Sequence, residues 1–130
     1  MGGTIWHIYT IIRWIYDIEY FKGMYKSFNK MNILFICSQG EDRSPTAKEI
    51  WKELYPDDET ESLGIYNCQK PKKLLNWADR IFVFENQHED ELQKLDMKYW
   101  GKSINLNIPS TYYYKQSSLV KLLKKKFKEF

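Results

Sequence analysis

From residue 31 onward, apolar and polar positions alternate between two periods. Ile33-Leu34-Phe35-Ile36 is an unbroken apolar run ending at Cys37, which predicts a buried strand over about 32–36. Ala47, Ile50, Trp51, Leu54 and Tyr55 then recur at i, i+3, i+4, i+7 and i+8, the spacing of one buried helix face, and predict a helix over about 45–55. Proline is favoured at a first helical position, so Pro45 opens that helix and Ser44 is the expected N-cap. Pro56-Asp57-Asp58 ends it with turn chemistry. Thr60 to Leu63 predicts a short second strand closing at Gly64, and Pro71 opens a short helix carrying Leu74, Leu75, Trp77 and Ala78. Arg80 to Phe84 predicts a third strand, nearly all apolar, as a strand covered on both faces should be. Asn86 is the expected cap of the next helix, with Glu89 three residues on as in a capping box and Asp90 and Glu91 in the first turn. Ser103 to Leu106 predicts a weaker fourth strand, ended by Ile108-Pro109. A last helix over about 117–128 buries Leu119, Val120, Leu123 and Phe127 and turns its lysines (121, 124, 125, 126 and 128) to solvent.

Four strands alternating with helices predict an α/β fold: a small, doubly wound, four-stranded parallel sheet with helices on both faces and right-handed crossovers. Ligands in such sheets bind outside the carboxyl ends of the strands. The loop 37–43 lies at that edge, and so does the loop after strand four, residues 108–114.

The first of these loops carries chemistry. A helix N-terminus presents unpaired N–H groups and a partial positive charge, which suits an oxyanion. The N–H groups of Ser38, Gln39, Gly40, Glu41, Asp42 and Arg43 can curl into an anion nest, with Gly40 free to take a positive φ. The planar fork of Arg43 can grip two phosphate oxygens. The same field favours the thiolate of Cys37 and so a nucleophile at the base of a phosphate cradle. Ser44 can donate its hydroxyl to that thiolate.

Strand, Cys-x5-Arg-Ser-Pro and amphipathic helix together resemble the low-molecular-weight protein tyrosine phosphatases over about residues 31–114. The likeness is greatest to a small bacterial and archaeal branch whose loop begins Cys-Ser-Gln and continues Arg-Ser-Pro-Thr-Ala. The resemblance implies Cys37 as nucleophile, Arg43 as phosphate clamp and Ser44 as thiolate stabiliser. It also implies hydrolysis of phosphate monoesters, phosphotyrosine first, through a phosphocysteine, without metal or cofactor. In the family the second loop carries an aspartate general acid followed by a tyrosine wall. Here the acid position reads Ser110, with Thr111 next and Tyr112 in the wall position. No Asp or Glu lies between Gly101 and Lys128 to take its place. Gly40 replaces the family's usual asparagine, and Glu41 and Asp42 stand at positions that are usually neutral or basic. These carboxylates either point to solvent and join the helix N-terminal field, or one of them supplies the missing acid. The alternative function is a phosphate-binding pseudophosphatase that recognises a phosphorylated partner without turnover. Arsenate reduction is a weaker alternative, because the arsenate reductases of this fold use extra cysteines and only Cys68 is present besides Cys37.

Composition narrows the setting. The chain has 130 residues, enough for one domain with a real core, and a net charge of +3, too small to indicate nucleic acid. Two cysteines make no disulfide framework, and a working thiolate fits a reducing cytoplasm. No Cys-His cluster has zinc spacing, and His7 and His88 each read as surface or capping residues. The expected partners are a phosphorylated protein or small phosphomonoester, with the chain a monomer. Residues 1–30 stand apart, with Trp6, Tyr9, Trp14, Tyr16, Tyr20, Phe21, Tyr25 and Phe28 threaded among isoleucines. Arg13, Asp17 and Glu19 interrupt them too often for a membrane span, and the start lacks the form of a signal peptide. They read as an N-terminal extension, either an added helix or a start assigned upstream of Met31, with the phosphatase-like domain at 31–130.

Overall fold

The computed structural model describes residues 30–66 and 72–130. The expectations for the first 29 residues, for Cys68 and for Pro71 fall outside the described residues. Four strands are present: β1 (Asn32–Cys37), β2 (Glu59–Gly64), β3 (Arg80–Val83) and β4 (Ser103–Asn105). They form one sheet in the order β2-β1-β3-β4, and every pairing is parallel. The helices are α1 (Arg43–Leu54), α2 (Lys72–Trp77), α3 (Asn86–Leu95), α4 (Met97–Gly101) and α5 (Ser117–Phe127).

Side chains of a strand point alternately to its two faces. In β1 that alternation divides the protein into two cores. Ile33, Phe35 and Cys37 join Trp51 of α1, Phe82, and Leu119, Leu123 and Phe127 of α5 on one face. Leu34 and Ile36 join Leu75 of α2, Ile81, Val83, Leu92 of α3 and Tyr99 of α4 on the other. The first core is aromatic: Phe35 stacks on Phe82 at 5.3 Å, and Trp51 meets Phe127 edge-on at 5.0 Å. Burying each such side chain stabilises the fold by about 1.5–3 kcal/mol. Asp58 ties helix to sheet from inside, its two oxygens accepting the Met31 N–H at 3.0 Å and the Trp51 indole N–H at 2.9 Å.

Several boundaries differ from the sequence expectation. Helix α1 starts two residues early, at Arg43, and its N-cap is Asp42, not Ser44. Pro45 still lies in the first turn, where the missing N–H costs no intrahelical bond. Helix α3 is capped by Glu85, not Asn86. The reciprocal pair is Glu85 with His88, because His88 rather than Glu89 stands three residues after the true cap. Helix α4, capped by the Asp96 side chain, is not predicted by the apolar pattern.

Candidate active site

The carboxyl edge of the sheet brings four segments together: the loop after β1, the turn after β2, the start of α3 and the loop after β4. Gly40 takes φ +76°, a left-handed conformation that costs glycine little. That turn folds the loop back so that the Gly40 N–H donates to Cys37 Sγ at 3.2 Å. Cys37 is a free, buried thiol, and Ser44 Oγ lies 3.1 Å from its sulfur. Ser44 lies inside the first turn of α1 rather than at its N-cap, and its hydroxyl faces the sulfur. Gly64 makes room for the loop. A Cβ there would lie 2.3 Å from the Gln39 carbonyl carbon. The Ile65 and Tyr66 N–H groups then donate to the Cys37 and Ser38 carbonyls at 2.8 and 3.1 Å, locking the loop to the β2 turn.

Arg43 is 3% exposed and lies 5.5 Å from the centre of the Phe84 ring. Its Nη1 donates to Glu85 Oε1 at 2.6 Å and to the Ile108 carbonyl at 2.7 Å. Nη2 donates to Ser38 Oγ at 3.3 Å. Among the described residues this leaves Nε–H and one Nη2–H of the guanidinium's five donors for an anion. Partial burial pushes the Glu85 carboxyl up, but the hydrogen bond and charge of Arg43 outweigh it and hold the group below its usual range.

His88 is fully buried behind Ser38. Its Nδ1 accepts the Phe84 and Glu85 N–H groups at 3.2 and 3.1 Å. Its Nε2 lies 3.0 Å from Ser38 Oγ. Burial, reinforced by the Arg43 charge and opposed by Glu85, pushes its pKa down to about 4. His88 is therefore the capping residue its sequence suggested, but not a surface one.

The loop after β4 is anchored on both sides of the site. The Ile108 N–H donates to the Phe84 carbonyl at 2.9 Å, extending the β3–β4 pairing until the Ile108 carbonyl reaches Arg43. Further on, the Tyr114 N–H donates to Asp42 Oδ1 at 3.0 Å, and the Lys115 N–H to Thr46 Oγ1 at 2.9 Å. Ser110 and Thr111 are exposed on the span between these anchors, while Tyr112 is half-buried and packs on the aromatic core. Asp42 thus turns its carboxylate to the second loop, and Glu41 is exposed. A cleft of 290 Å³ is walled by Phe84, Glu85, Asn86, Gln87, Asn107 and Ile108, of which Glu85 and Ile108 also hold Arg43.

The structure thus brings Cys37, Ser38, Gly40, Arg43 and Ser44 into one cradle. Glu85, His88 and the Ile108 carbonyl belong to it as well and were not anticipated. One signal was available for Glu85, which lies two residues past the end of β3, at the carboxyl edge where ligands bind. Among the described residues, no group of three or more His, Cys, Asp or Glu side chains is placed to hold a metal ion.

No family model and no curated protein matches the chain. Solved structures do match. The tyrosine phosphatase Wzb from Escherichia coli K30, in complex with phosphate, superposes with a TM-score of 0.64 at 19% identity, over 77% of this chain and 95% of that one. The tyrosine phosphatase AmsI of Erwinia amylovora gives 0.66 at 17% identity, over 78% and 91%. A YwlE arginine phosphatase, a Cys-to-Ser variant with a phosphorylated active-site serine, gives 0.60 at 19% identity, over 76% and 95%. The fold is that of the low-molecular-weight tyrosine phosphatases.

Proposed function

We propose that the protein is a cysteine-dependent phosphatase that hydrolyses phosphate monoesters, phosphotyrosine first, through a phosphocysteine on Cys37. The observation that carries this reading is the sulfur of Cys37, which faces the Gly40 N–H at 3.2 Å and the Ser44 hydroxyl at 3.1 Å, in a loop that ends at buried Arg43. The Gly40 N–H donates to that sulfur and the Ser44 hydroxyl lies within hydrogen-bond reach of it, so both stand where a sulfur nucleophile needs them. The thiolate attacks phosphorus, the P–O bond to the leaving group breaks, and water then cleaves the P–S bond to release phosphate. Arg43 and the loop N–H groups hold the phosphoryl oxygens in place of a metal ion. The phosphatase neighbours support phosphoryl transfer, and the phosphorylated serine of the YwlE variant supports a covalent step.

Proton supply to the leaving group is the weak point. Ser110 cannot replace a carboxylic acid, the Asp42 carboxylate accepts the Tyr114 N–H, and Arg43 keeps Glu85 ionised. A general acid typically contributes 10²–10⁴-fold, and most where the leaving group is poor, as tyrosine is with a pKa near 10. The protein should be slow on phosphotyrosine and relatively better on activated aryl phosphates. Ser110→Asp should restore rate mainly on phosphotyrosine, by about 10-fold or more. The test is turnover of both substrate types, and of phosphoarginine, by wild type and Cys37→Ser, with rapid-quench trapping of a phosphoenzyme. Cys37→Ser should abolish turnover. Brisk phosphotyrosine turnover lost in Glu41→Gln would make Glu41 the acid instead.

The missing acid also favours a second reading, a pseudophosphatase that binds a phosphorylated partner. If no substrate reacts and no phosphoenzyme forms, while a phosphopeptide binds and Arg43→Ala removes the binding, that reading replaces the first.

A further inference from the structure

The Ser38 hydroxyl meets two side chains in the cradle, His88 and Arg43. His88 Nδ1 accepts two backbone N–H groups, so in the neutral ring the proton sits on Nε2. Nε2–H therefore donates to Ser38 Oγ, 3.0 Å away. Arg43 Nη2 donates to the same oxygen from 3.3 Å. A hydroxyl has two acceptor sites and one donor. Both acceptor sites of Ser38 are taken, so its proton must point away from His88 and Arg43. Ser38 directly follows Cys37, and its oxygen lies beside the guanidinium edge that an anion would occupy.

We infer that the Ser38 hydroxyl is a catalytic donor to a phosphoryl oxygen, and that His88 is the positioning residue that fixes its direction. The inference rests on the phosphatase reading for its kinetic consequence, but not for its binding consequence. His88 is suited to the task only as a neutral ring of one tautomer. The groups facing it are Arg43 from α1, Glu85 at its own cap and Tyr66 from the β2 turn, whose ring centre lies 6.4 Å away. A proton on Nδ1 would oppose the Phe84 and Glu85 N–H groups, so the geometry holds the ring in that form.

The test uses the full chain, orthovanadate as the oxyanion probe, and p-nitrophenyl phosphate as substrate. Ser38→Ala should weaken vanadate binding and lower kcat by roughly 10-fold or more with little change in KM, because a preset donor acts on charge that grows in the transition state. Ser38→Thr, which keeps the hydroxyl, should retain both. His88→Asn separates positioning from capping. Its amide oxygen stands where Nδ1 stands and keeps the Phe84 and Glu85 contacts, but it does not reach Ser38. It should match Ser38→Ala in kcat, and the double variant should be no worse than Ser38→Ala alone. His88→Gln, whose amide nitrogen reaches the Nε2 position, should recover most of the rate, and it carries the comparison if His88→Asn fails to fold. Full vanadate affinity and turnover in Ser38→Ala would overturn the donor. Full activity in His88→Asn would overturn the positioning role. If wild type hydrolyses nothing but binds vanadate, and Ser38→Ala and His88→Asn weaken that binding alike, the donor stands and the hydrolysis reading falls. Absence of vanadate binding by wild type would overturn both.

Discussion

At the scale of the residue, the buried imidazole of His88 makes stability depend on pH. Its pKa falls from 6.5 in the unfolded chain to about 4 in the fold, through burial first and the Arg43 charge second. Between those values the unfolded chain takes up a proton that the folded protein refuses. Stability is therefore complete above about pH 6.5 and drains away as pH falls toward 4, by on the order of 3 kcal/mol. Glu85, whose carboxyl is also lowered, loses its own contribution with the same sign but only below its unfolded value of 4.5. Urea unfolding at pH 7 and pH 4.5 should show a marked loss for wild type and a smaller one for His88→Asn. An equal loss in both would assign the acid sensitivity elsewhere. Cys37, Arg43 and Ser44 were legible from the sequence because they are local: one strand end, one loop and one helix start fix all three. Glu85 and Ile108 were not, because they reach Arg43 from 42 and 65 residues away, and no local period encodes that meeting. The cap assigned to Ser44 failed for a related reason. Arg43 and Ser44 are buried against the site rather than along the apolar stripe, so the stripe marks the helix two residues late.

At the scale of the element, the site depends on how closely the β1 loop approaches the β2 turn. A Cβ on Gly64 would meet the Gln39 carbonyl oxygen at 2.4 Å and Gly40 N at 2.7 Å, and both are backbone atoms that cannot swing aside. Gly64→Ala should destabilise the protein by ~1–3 kcal/mol and push the loop off its position. Vanadate affinity should fall further than stability alone explains. Gly40→Ala combines a contact of 2.7 Å to Gly64 N with a left-handed φ of +76°, and it should act on the same two measurements. Retained affinity in Gly64→Ala would mean that the loop holds its shape without the β2 turn. The sequence placed Gly64 at a strand end and Gly40 in a nest, but not against each other. Strands β1 and β3 were legible because a strand covered on both faces is apolar at every position. Helix α4 was not, because its five residues are too few for a 3.6-residue period to appear.

At the scale of the whole molecule, alternation of strands and helices was enough to predict a four-stranded parallel sheet with two covered faces. The order β2-β1-β3-β4 places the first strand second in the sheet, beside both β2 and β3, with the Cys37 loop at its carboxyl end. Among the described residues, no helix is long and apolar enough to cross a membrane. Among the described residues, one core covers each face of that sheet. Met31 closes the aromatic one at 4% exposure, and its N–H donates to the buried Asp58 carboxylate at 3.0 Å. In a chain that begins at Met31 the same nitrogen becomes a charged amine. The Asp58 oxygen beside it then meets a cation rather than an amide, and a charge-assisted hydrogen bond is stronger than a neutral one. Such a chain should fold cooperatively, with a melting temperature within a few degrees of the full protein, and bind vanadate with equal affinity. A second variant tests the reason given. Asp58→Asn removes the charge that the new amine needs, so it should destabilise the shortened chain more than the full one. If the shortened chain fails to fold, or folds and loses vanadate binding, the first 30 residues are part of the phosphatase-like domain and the boundary at Met31 is wrong.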